Sequence, residues 1–133
     1  MKMTNSKSDI LESFENPNKV SDYLIKIRIP EFTCLCPKTS QPDFAIINIR
    51  YVPKDLCIEL KSLKMYMTSY RNVGAFHEAV TNNICHDLVD IINPNYLEVR
   101  TTFNVRGGIY TKIQCRNRND EWQDKLNLIN HKL

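Results

Sequence analysis

The sequence predicts an α+β protein in which a four-stranded antiparallel sheet carries two helices, both placed between the second and third strands. Residues 23–29 alternate between apolar or aromatic and mostly charged side chains, as expected of a half-buried strand. Residues 76–92 repeat apolar side chains at intervals of three and four, as one face of a helix requires. The Arg-Gly-Gly sequence at 106–108 separates two further strand-like runs and is typical of a hairpin turn. Hairpins on either side of a helical pair favour an antiparallel sheet with helices on one face.

The individual elements follow from local patterns along the chain. Residues 1–20 are polar, and we expect a loose leader with one short helical turn at Ile10–Phe14. The first two strands, Tyr23–Ile29 and Phe44–Tyr51, can pair as a wide hairpin. The other predicted elements are an extended piece at 56–60, helices at 61–71 and Phe76–Ile92, strands at Tyr96–Val105 and Ile109–Arg116, and a weak amphipathic helix in the tail from residue 117, carried by Trp122, Leu126 and Ile129.

Length and composition indicate a single soluble domain spanning residues 1–133. The chain is 42% hydrophobic and 25% charged, has no apolar run long enough to cross a bilayer, and lacks an apolar signal segment at its start. We therefore expect a cytoplasmic protein. Its five cysteines are odd in number and form no CxxC pair, which argues against a disulfide framework or a zinc knuckle. A net charge of +3 permits an anionic ligand but does not by itself indicate nucleic-acid binding.

The stretch Phe32–Asp43 carries the strongest chemical signal in the chain. Cys36 directly precedes Pro37, and proline suits the first position of a helical turn. A thiol in front of such a turn faces unpaired N–H groups that favour the thiolate, and the charge of Lys38 acts in the same direction. Asp43 can return to the same pocket as a proton donor. The alternative interpretation is a surface loop with a buried, inert thiol.

Several motifs in the right order resemble one enzyme family. They are residues 32–44, Glu59–Tyr66, Tyr70-Arg71-Asn72, Phe76-His77-Glu78 and Arg106-Gly107-Gly108. They closely resemble the NADPH-dependent 7-cyano-7-deazaguanine reductases, the nitrile reductases of queuosine biosynthesis, over about residues 20–115. The length is similar to that of the short, single-module members, which implies the tunnelling fold shared with GTP cyclohydrolase I. One departure is Cys34, where the family more often has a small residue without a thiol.

The resemblance implies a covalent mechanism, which agrees with the weak electrophilicity of a nitrile carbon towards hydride. Cys36 would attack the nitrile to form a thioimide, and Asp43 would protonate the nitrogen. His77 would lie in the substrate pocket and assist proton transfer. Two molecules of NADPH would then deliver two hydrides and give 7-aminomethyl-7-deazaguanine.

The resemblance also assigns binding roles, each with a plainer alternative. Glu78 would hold the guanine-like edge of the substrate, although its helical position alone indicates a solvated side chain. His77 alone would more often be structural, and the sequence lacks the second histidine of a zinc-binding HExxH motif. The remaining substrate-pocket residues are Ile58, Glu59 and Leu60, and the cofactor residues are Lys61, Lys64, Tyr66 and Arg106. The lysines could instead form an ordinary basic surface and Arg106 an ordinary turn. We expect no metal.

The predicted sheet also bears on assembly and on partners. Four strands leave two exposed edges, which identical subunits can cover by pairing with one another. The resemblance implies a homo-oligomeric barrel, a decamer of two stacked pentamers, acting on a small 7-deazaguanine without direct nucleic-acid or membrane partners. Two alternatives remain. A GTP cyclohydrolase-like hydrolase would need a zinc site, for which the chain has only three histidines. A small tRNA-binding domain would need stacking aromatics among its lysines, beyond Tyr66 and Tyr70.

Overall fold

The computed structural model describes residues 7–130. A 3₁₀ turn at Lys7–Ile10 is followed by strands β1 (Ser13–Glu15), β2 (Ile25–Leu35), β3 (Pro42–Val52) and β4 (Leu56–Ile58), helices α1 (Leu60–Thr68) and α2 (His77–Ile92), and strands β5 (Tyr96–Arg106) and β6 (Ile109–Arg118). The main sheet is antiparallel throughout and has the order β2-β3-β5-β6. The predicted α+β arrangement, with two helices between the two hairpins, is confirmed.

The first hairpin is longer than the sequence pattern indicated, and this extension positions Cys36. The pairing of β2 with β3 continues to Leu35 opposite Pro42, past a register shift between Ile29 and Phe32. Pro30 lies inside that shift. Since a proline has no N–H to donate to the ladder, an irregularity at this point lets the strand continue. The two strands therefore meet at a short turn around Cys36.

The hydrophobic core lies between one face of the main sheet and the helices. Its central side chains, all 1% exposed or less, are Ile47, Ile49, Leu97, Val99, Val80, Ile84 and Leu88. Burying an aliphatic side chain of this size contributes roughly 1.5–3 kcal/mol. The core therefore fixes α2 against the sheet and sets the position of its first residue, His77.

The two helices have different ends. The side chain of Glu59 caps α1 by accepting from the N–H groups of Lys61 and Ser62 at 2.7 and 2.8 Å. Helix α2 begins after Phe76 without a side-chain cap and ends at Asn93, whose left-handed φ of 42° suits a helix terminus. Within residues 7–130, no helix is long and apolar enough to cross a membrane.

The expectation of a loose leader is wrong for residues 7–16. Strand β1 pairs with β4, placing Ser13 opposite Ile58, and Leu11 is only 5% exposed within the core. The helical turn predicted at Ile10–Phe14 is instead a 3₁₀ turn that ends at Ile10. Leu11 anchors the segment together with the buried Asn16, whose side chain donates to the carbonyl of Lys54 at 2.8 Å. The composition of a mostly polar segment does not reveal such isolated anchors. Residues 1–6 lie outside the described part of the chain.

The helix predicted in the tail is also wrong. Residues 119–130 form turns, in which the carboxylate of Asp124 accepts from the N–H groups of Leu128 and Ile129 at 2.7 and 3.0 Å. Side-chain bonds of this kind compete with helical hydrogen bonds. The indole N–H of Trp122 donates to Asp22 at 2.9 Å, and Arg50 donates to the carbonyl of Ile129 at 2.7 Å. Hydrogen bonds at Trp122 and Ile129 therefore anchor these turns to the domain.

Candidate active site

Cys36 lies in the turn that joins β2 to β3. Its N–H donates to the carbonyl of Gln41 at 2.8 Å, and its carbonyl accepts from the N–H of Ser40 at 2.9 Å. Ser40 has a left-handed φ of 60°, which closes the turn. Both backbone groups of Cys36 are thus bonded within the turn, and its partly exposed side chain is held at the end of the hairpin.

The environment of Cys36 favours the thiolate. The Thr39 hydroxyl, followed by the N–H groups of Lys38 and Thr39, lowers the pKa of the Cys36 thiol. This agrees with the sequence-based argument that the turn after Pro37 presents N–H groups to the sulfur. We expected the charge of Lys38 to favour the thiolate, but Lys38 acts here through its backbone N–H. Cys34 is fully buried, and burial raises its pKa to about 11. Cys36 is therefore the thiol suited to nucleophilic attack.

Asp43 lies beside this thiol at the start of β3. It is 5% exposed and pairs across the hairpin with Cys34. It is close enough to Cys36 that its charge acts against the lowering of the thiol pKa. Its Oδ1 accepts a short hydrogen bond from Arg106, and its Oδ2 lies 3.2 Å from Nε2 of His77. Both oxygens of this buried carboxylate therefore have partners.

His77 is held in place by an aromatic ring. Its imidazole stacks on Phe103 with ring centroids 3.6 Å apart and planes 2° apart. His77 is the first residue of α2, and Phe103 lies on β5, which pairs with β3. The ring plane is fixed and Nε2 points at Asp43. This hydrogen bond can carry a proton at either end, as acid–base chemistry requires.

Sequence reasoning did not anticipate that Arg106 joins this cluster. We expected it to bind the cofactor, but its side chain contacts Asp43, Gln41 and the carbonyl of Pro42. The carboxylate of Asp43 raises the pKa of Arg106, so the guanidinium is charged. The register of the sheet explains the contact, since Ala45 pairs with Phe103 and places the end of β5 beside the start of β3. Only a correct strand order could have predicted this contact, because nothing in the sequence around Arg106 indicates Asp43 as its partner.

Glu78 is exposed, and no side-chain bond joins it to the cluster within residues 7–130. It lies in the first turn of α2, where the helix dipole stabilises a negative charge. It directly follows His77 in the chain. The position suits the predicted role at the edge of a substrate but leaves the contact itself a prediction.

The predicted pocket residues at the junction of β4 and α1 have three different environments. Ile58 is 2% exposed, and its N–H donates to the hydroxyl of Tyr51 at 3.0 Å. Glu59 caps α1, and the hydrogen bonds that its carboxylate accepts from the N–H groups of Lys61 and Ser62 lower its pKa. Leu60 is 61% exposed. The monomer does not bring this junction together with Cys36 as one closed pocket.

Three of the predicted cofactor residues lie on α1. Two of them are accessible to a ligand and one is buried. Lys61 and Lys64 are exposed, and Lys64 lines a groove of about 380 Å³ together with Leu60, Arg28 and Arg71. Tyr66 is fully buried and donates to Asp87 at 2.7 Å. Its position favours a structural role over the predicted contact with the cofactor, because a helix face that packs on the core presents no surface to a ligand.

No group of three or more His, Cys, Asp or Glu side chains in residues 7–130 is arranged to hold a metal ion. His77 is bonded to Asp43, and His86 lies 3.3 Å from Asp90 on the exposed side of α2. His131 lies outside the described residues. The zinc-dependent hydrolase considered above therefore has no ligand set in this part of the chain.

Comparison with known proteins identifies the family. Residues 42–122 match the family model described as QueF-like protein. The NADPH-dependent 7-cyano-7-deazaguanine reductase of Thioalkalivibrio sulfidiphilus is 54% identical over 91% of this chain and 94% of its own length. The reductase of the same name from Halorhodospira halophila is 57% identical over 85% of this chain and 96% of its own length. The chain belongs to the NADPH-dependent 7-cyano-7-deazaguanine reductase family. The family resemblance inferred from the motifs is thereby confirmed.

The fold of this reductase-family chain also has a solved counterpart. The apo crystal structure of the archaeosine synthase QueF-Like covers 77% of this chain and 98% of its own chain, with a TM-score of 0.65. The two sequences are 19% identical, so the likeness concerns the fold alone. It supports the arrangement of two helices on antiparallel strands found here.

Proposed function

We propose that this chain reduces the nitrile of 7-cyano-7-deazaguanine to 7-aminomethyl-7-deazaguanine with two molecules of NADPH, through a thioimide on Cys36, in queuosine biosynthesis. The relatives named above carry the reductase name. The observation that carries the proposal is the partly exposed Cys36 thiol, whose pKa is lowered, beside the buried carboxylate of Asp43.

The first step needs only groups of this chain. The Cys36 thiolate forms a bond to the nitrile carbon, one π bond of the nitrile breaks, and the nitrogen takes a proton from the Asp43–His77 pair. The proton is replaced from solvent. A thiolate is the competent nucleophile, which is why the lowered pKa of Cys36 matters.

NADPH, when bound, supplies a hydride at each of the two reduction stages. The chain supplies a proton to nitrogen at each stage and releases the Cys36 thiolate between them, so the nitrile consumes two hydrides and two protons to become the amine. Water must be kept from the imine that follows thiolate release, because an imine hydrolyses. The Cys36 thiol is partly exposed in the monomer, so closure would come from substrate, cofactor or a second subunit.

The residues present fit a phosphate-bearing cofactor in one region. The groove beside α1 contains Lys64, Arg28 and Arg71, and it reaches Thr33, which is three residues before Cys36. Cations of this kind suit phosphate groups. A volume of about 380 Å³ lies in the range of ligand pockets. Lys64 in this groove, and Lys61 on the exposed face of the same helix, are the residues that would hold the phosphates.

The assembly proposed for this enzyme is a homo-oligomer, a decamer of two pentamers that closes a barrel. It is supported by the two outer strands of the sheet, β2 and β6, each of which has one edge unpaired within residues 7–130. The proposed substrate is a small molecule, no direct nucleic-acid contact is invoked, and a cytoplasmic location remains a prediction.

One assay tests the proposed reaction. The purified chain is incubated with the cyano substrate and NADPH, while the absorbance of NADPH and the mass of the product are followed. We expect two NADPH oxidised for each aminomethyl product formed, and no oxidation when the substrate is omitted. A product that retains the nitrile, or a hydrolysed nitrile without NADPH oxidation, would contradict the proposal.

A further inference from the structure

Arg106 makes contacts that the proposed reaction does not use. It is the last residue of β5, its side chain is 36% exposed, and it turns back to the start of β3. There it donates to Oδ1 of Asp43, to Oε1 of Gln41 at 2.7 Å, and to the carbonyl of Pro42 at 3.5 Å. Since one guanidinium reaches three consecutive residues, the contact fixes a segment as well as an ion pair.

The contact divides the two oxygens of Asp43 between different partners. Oδ1 faces Arg106, which only donates hydrogen bonds and does not give up a proton in proteins. Oδ2 faces His77, which can donate or accept. Proton exchange is therefore confined to the side of the carboxylate that carries His77.

We propose that Arg106 is a positioning residue that holds Asp43 by Oδ1, so that the proton for the nitrile nitrogen is delivered from the Oδ2–His77 side. This inference rests on the proposed function. It gives Arg106 a role in the acid–base group, and it makes Gln41 the second anchor of the guanidinium. Asp43 keeps its orientation because both anchors lie on the same short segment as the carboxylate.

The rate of thioimide formation distinguishes a role of Arg106 in positioning Asp43 from a role in binding NADPH. That step needs a proton at nitrogen but needs no NADPH. A residue that binds only the cofactor leaves the rate of adduct formation unchanged, whereas a residue that orients the proton donor changes it. The rate is measured by mass spectrometry after mixing enzyme and cyano substrate without NADPH.

The variants follow from the contacts. We expect Arg106→Gln to slow adduct formation about tenfold or more, because a misplaced proton donor is costly. Arg106→Lys keeps the positive charge but loses the planar guanidinium that donates to several acceptors at once, so its rate should lie between those of Arg106→Gln and the wild type. Gln41→Ala keeps the backbone carbonyl that holds Cys36 and removes one anchor, so a smaller loss is expected. Arg100→Gln is the matched control, an arginine on the same strand that lies 3.7 Å from Glu98, and it should retain the wild-type rate.

A second measurement needs no substrate. The Asp43 charge acts against the lowering of the Cys36 pKa, and Arg106 offsets that charge. Arg106→Gln should therefore move the pH profile of Cys36 alkylation by iodoacetamide to higher pH, while Arg100→Gln should leave it in place. A variant that merely folds less stably would unfold at a lower temperature but would show no shift in the pH profile of Cys36 alkylation.

The outcomes distinguish the inference from the function on which it rests. If the wild type forms no adduct with the cyano substrate, the proposed function fails, and the positioning role falls with it. If the wild type forms the adduct and Arg106→Gln forms it equally fast, with only the Michaelis constant for NADPH raised, the function stands and the positioning role is overturned. An alkylation profile unchanged by Arg106→Gln would also overturn it.

Discussion

Cys34 and Cys36 are separated by one residue, yet their thiols have opposite environments. Burial raises the pKa of Cys34 to about 11, whereas the Thr39 hydroxyl and two backbone N–H groups lower the pKa of Cys36. The difference arises because Cys34 is inside the sheet and Cys36 is in the turn after it. Two cysteines so close in the chain thus differ in thiol reactivity because of their environments alone.

The first prediction identifies the nucleophile. Enzyme mixed with the cyano substrate and no NADPH should gain the mass of one substrate on the peptide that contains Cys36. Cys36→Ala should abolish the adduct, and Cys34→Ala should retain it, because only the thiol in the turn is readily ionised. An adduct on Cys34 in the wild type would reverse the assignment.

The pH dependence of alkylation has a definite sign. Because its pKa is lowered, Cys36 should react with iodoacetamide at a pH below that needed by an ordinary cysteine, and the rate should fall as the pH drops through this lowered pKa. Cys34 should remain unmodified until the protein unfolds, since it is 0% exposed. Mass mapping of the alkylated peptides at a series of pH values measures both effects.

The second prediction concerns the proton donor. Asp43→Asn retains the size of the side chain and an oxygen for Arg106, but the amide cannot supply the proton. Turnover should fall by about a hundredfold or more. Substrate binding, measured by calorimetry, should persist, because the variant leaves Glu78 and the turn unchanged. Near-normal turnover would remove Asp43 from the mechanism.

The third prediction concerns the cofactor. Lys64→Ala should raise the Michaelis constant for NADPH far more than that for the nitrile, because Lys64 lines the basic groove beside α1. Lys61→Ala should act in the same direction from the exposed face of the same helix. Lys54→Ala, an exposed lysine between β3 and β4, is the control and should change neither constant. Equal use of NADH by the wild type would contradict a role for these cations in binding the extra phosphate.

The sequence predicted the elements of this fold better than it predicted their contacts. Alternation and helical periodicity located both hairpins and α2, since these patterns report directly on which face is buried. They could not locate β1 or the tail turns, which depend on isolated anchors such as Leu11 and Trp122. The N–H groups beside the Cys36 thiol were predictable because Pro37 specifies a local turn, whereas the larger effect of the Thr39 hydroxyl was not predicted. The pairing of Arg106 with Asp43 was not, because 63 residues separate them and only the strand order brings them together.

The last prediction concerns assembly and the sharing of a pocket between subunits. The free edges of β2 and β6 lie at opposite sides of the sheet, and the β5–β6 hairpin exposes Val105, Ile109 and Tyr110 at 53%, 69% and 59%. Identical chains that pair head to tail through these edges would cover them and form a closed ring. In such a ring, a substrate bound between two chains can contact Cys36 of one chain and Glu78 of the next.

Mixing experiments measure this sharing. Inactive Cys36→Ala and Glu78→Ala chains, unfolded and refolded together in equal amounts, should recover activity, because about one quarter of the shared pockets would contain both native side chains. Cys36→Ala mixed with Asp43→Asn is the matched control. Cys36 and Asp43 interact within a single chain, so no pocket in that mixture can regain both, and no activity should return. A fully active particle with the 15.6 kDa mass of one chain by light scattering would refute the shared pocket and the ring together.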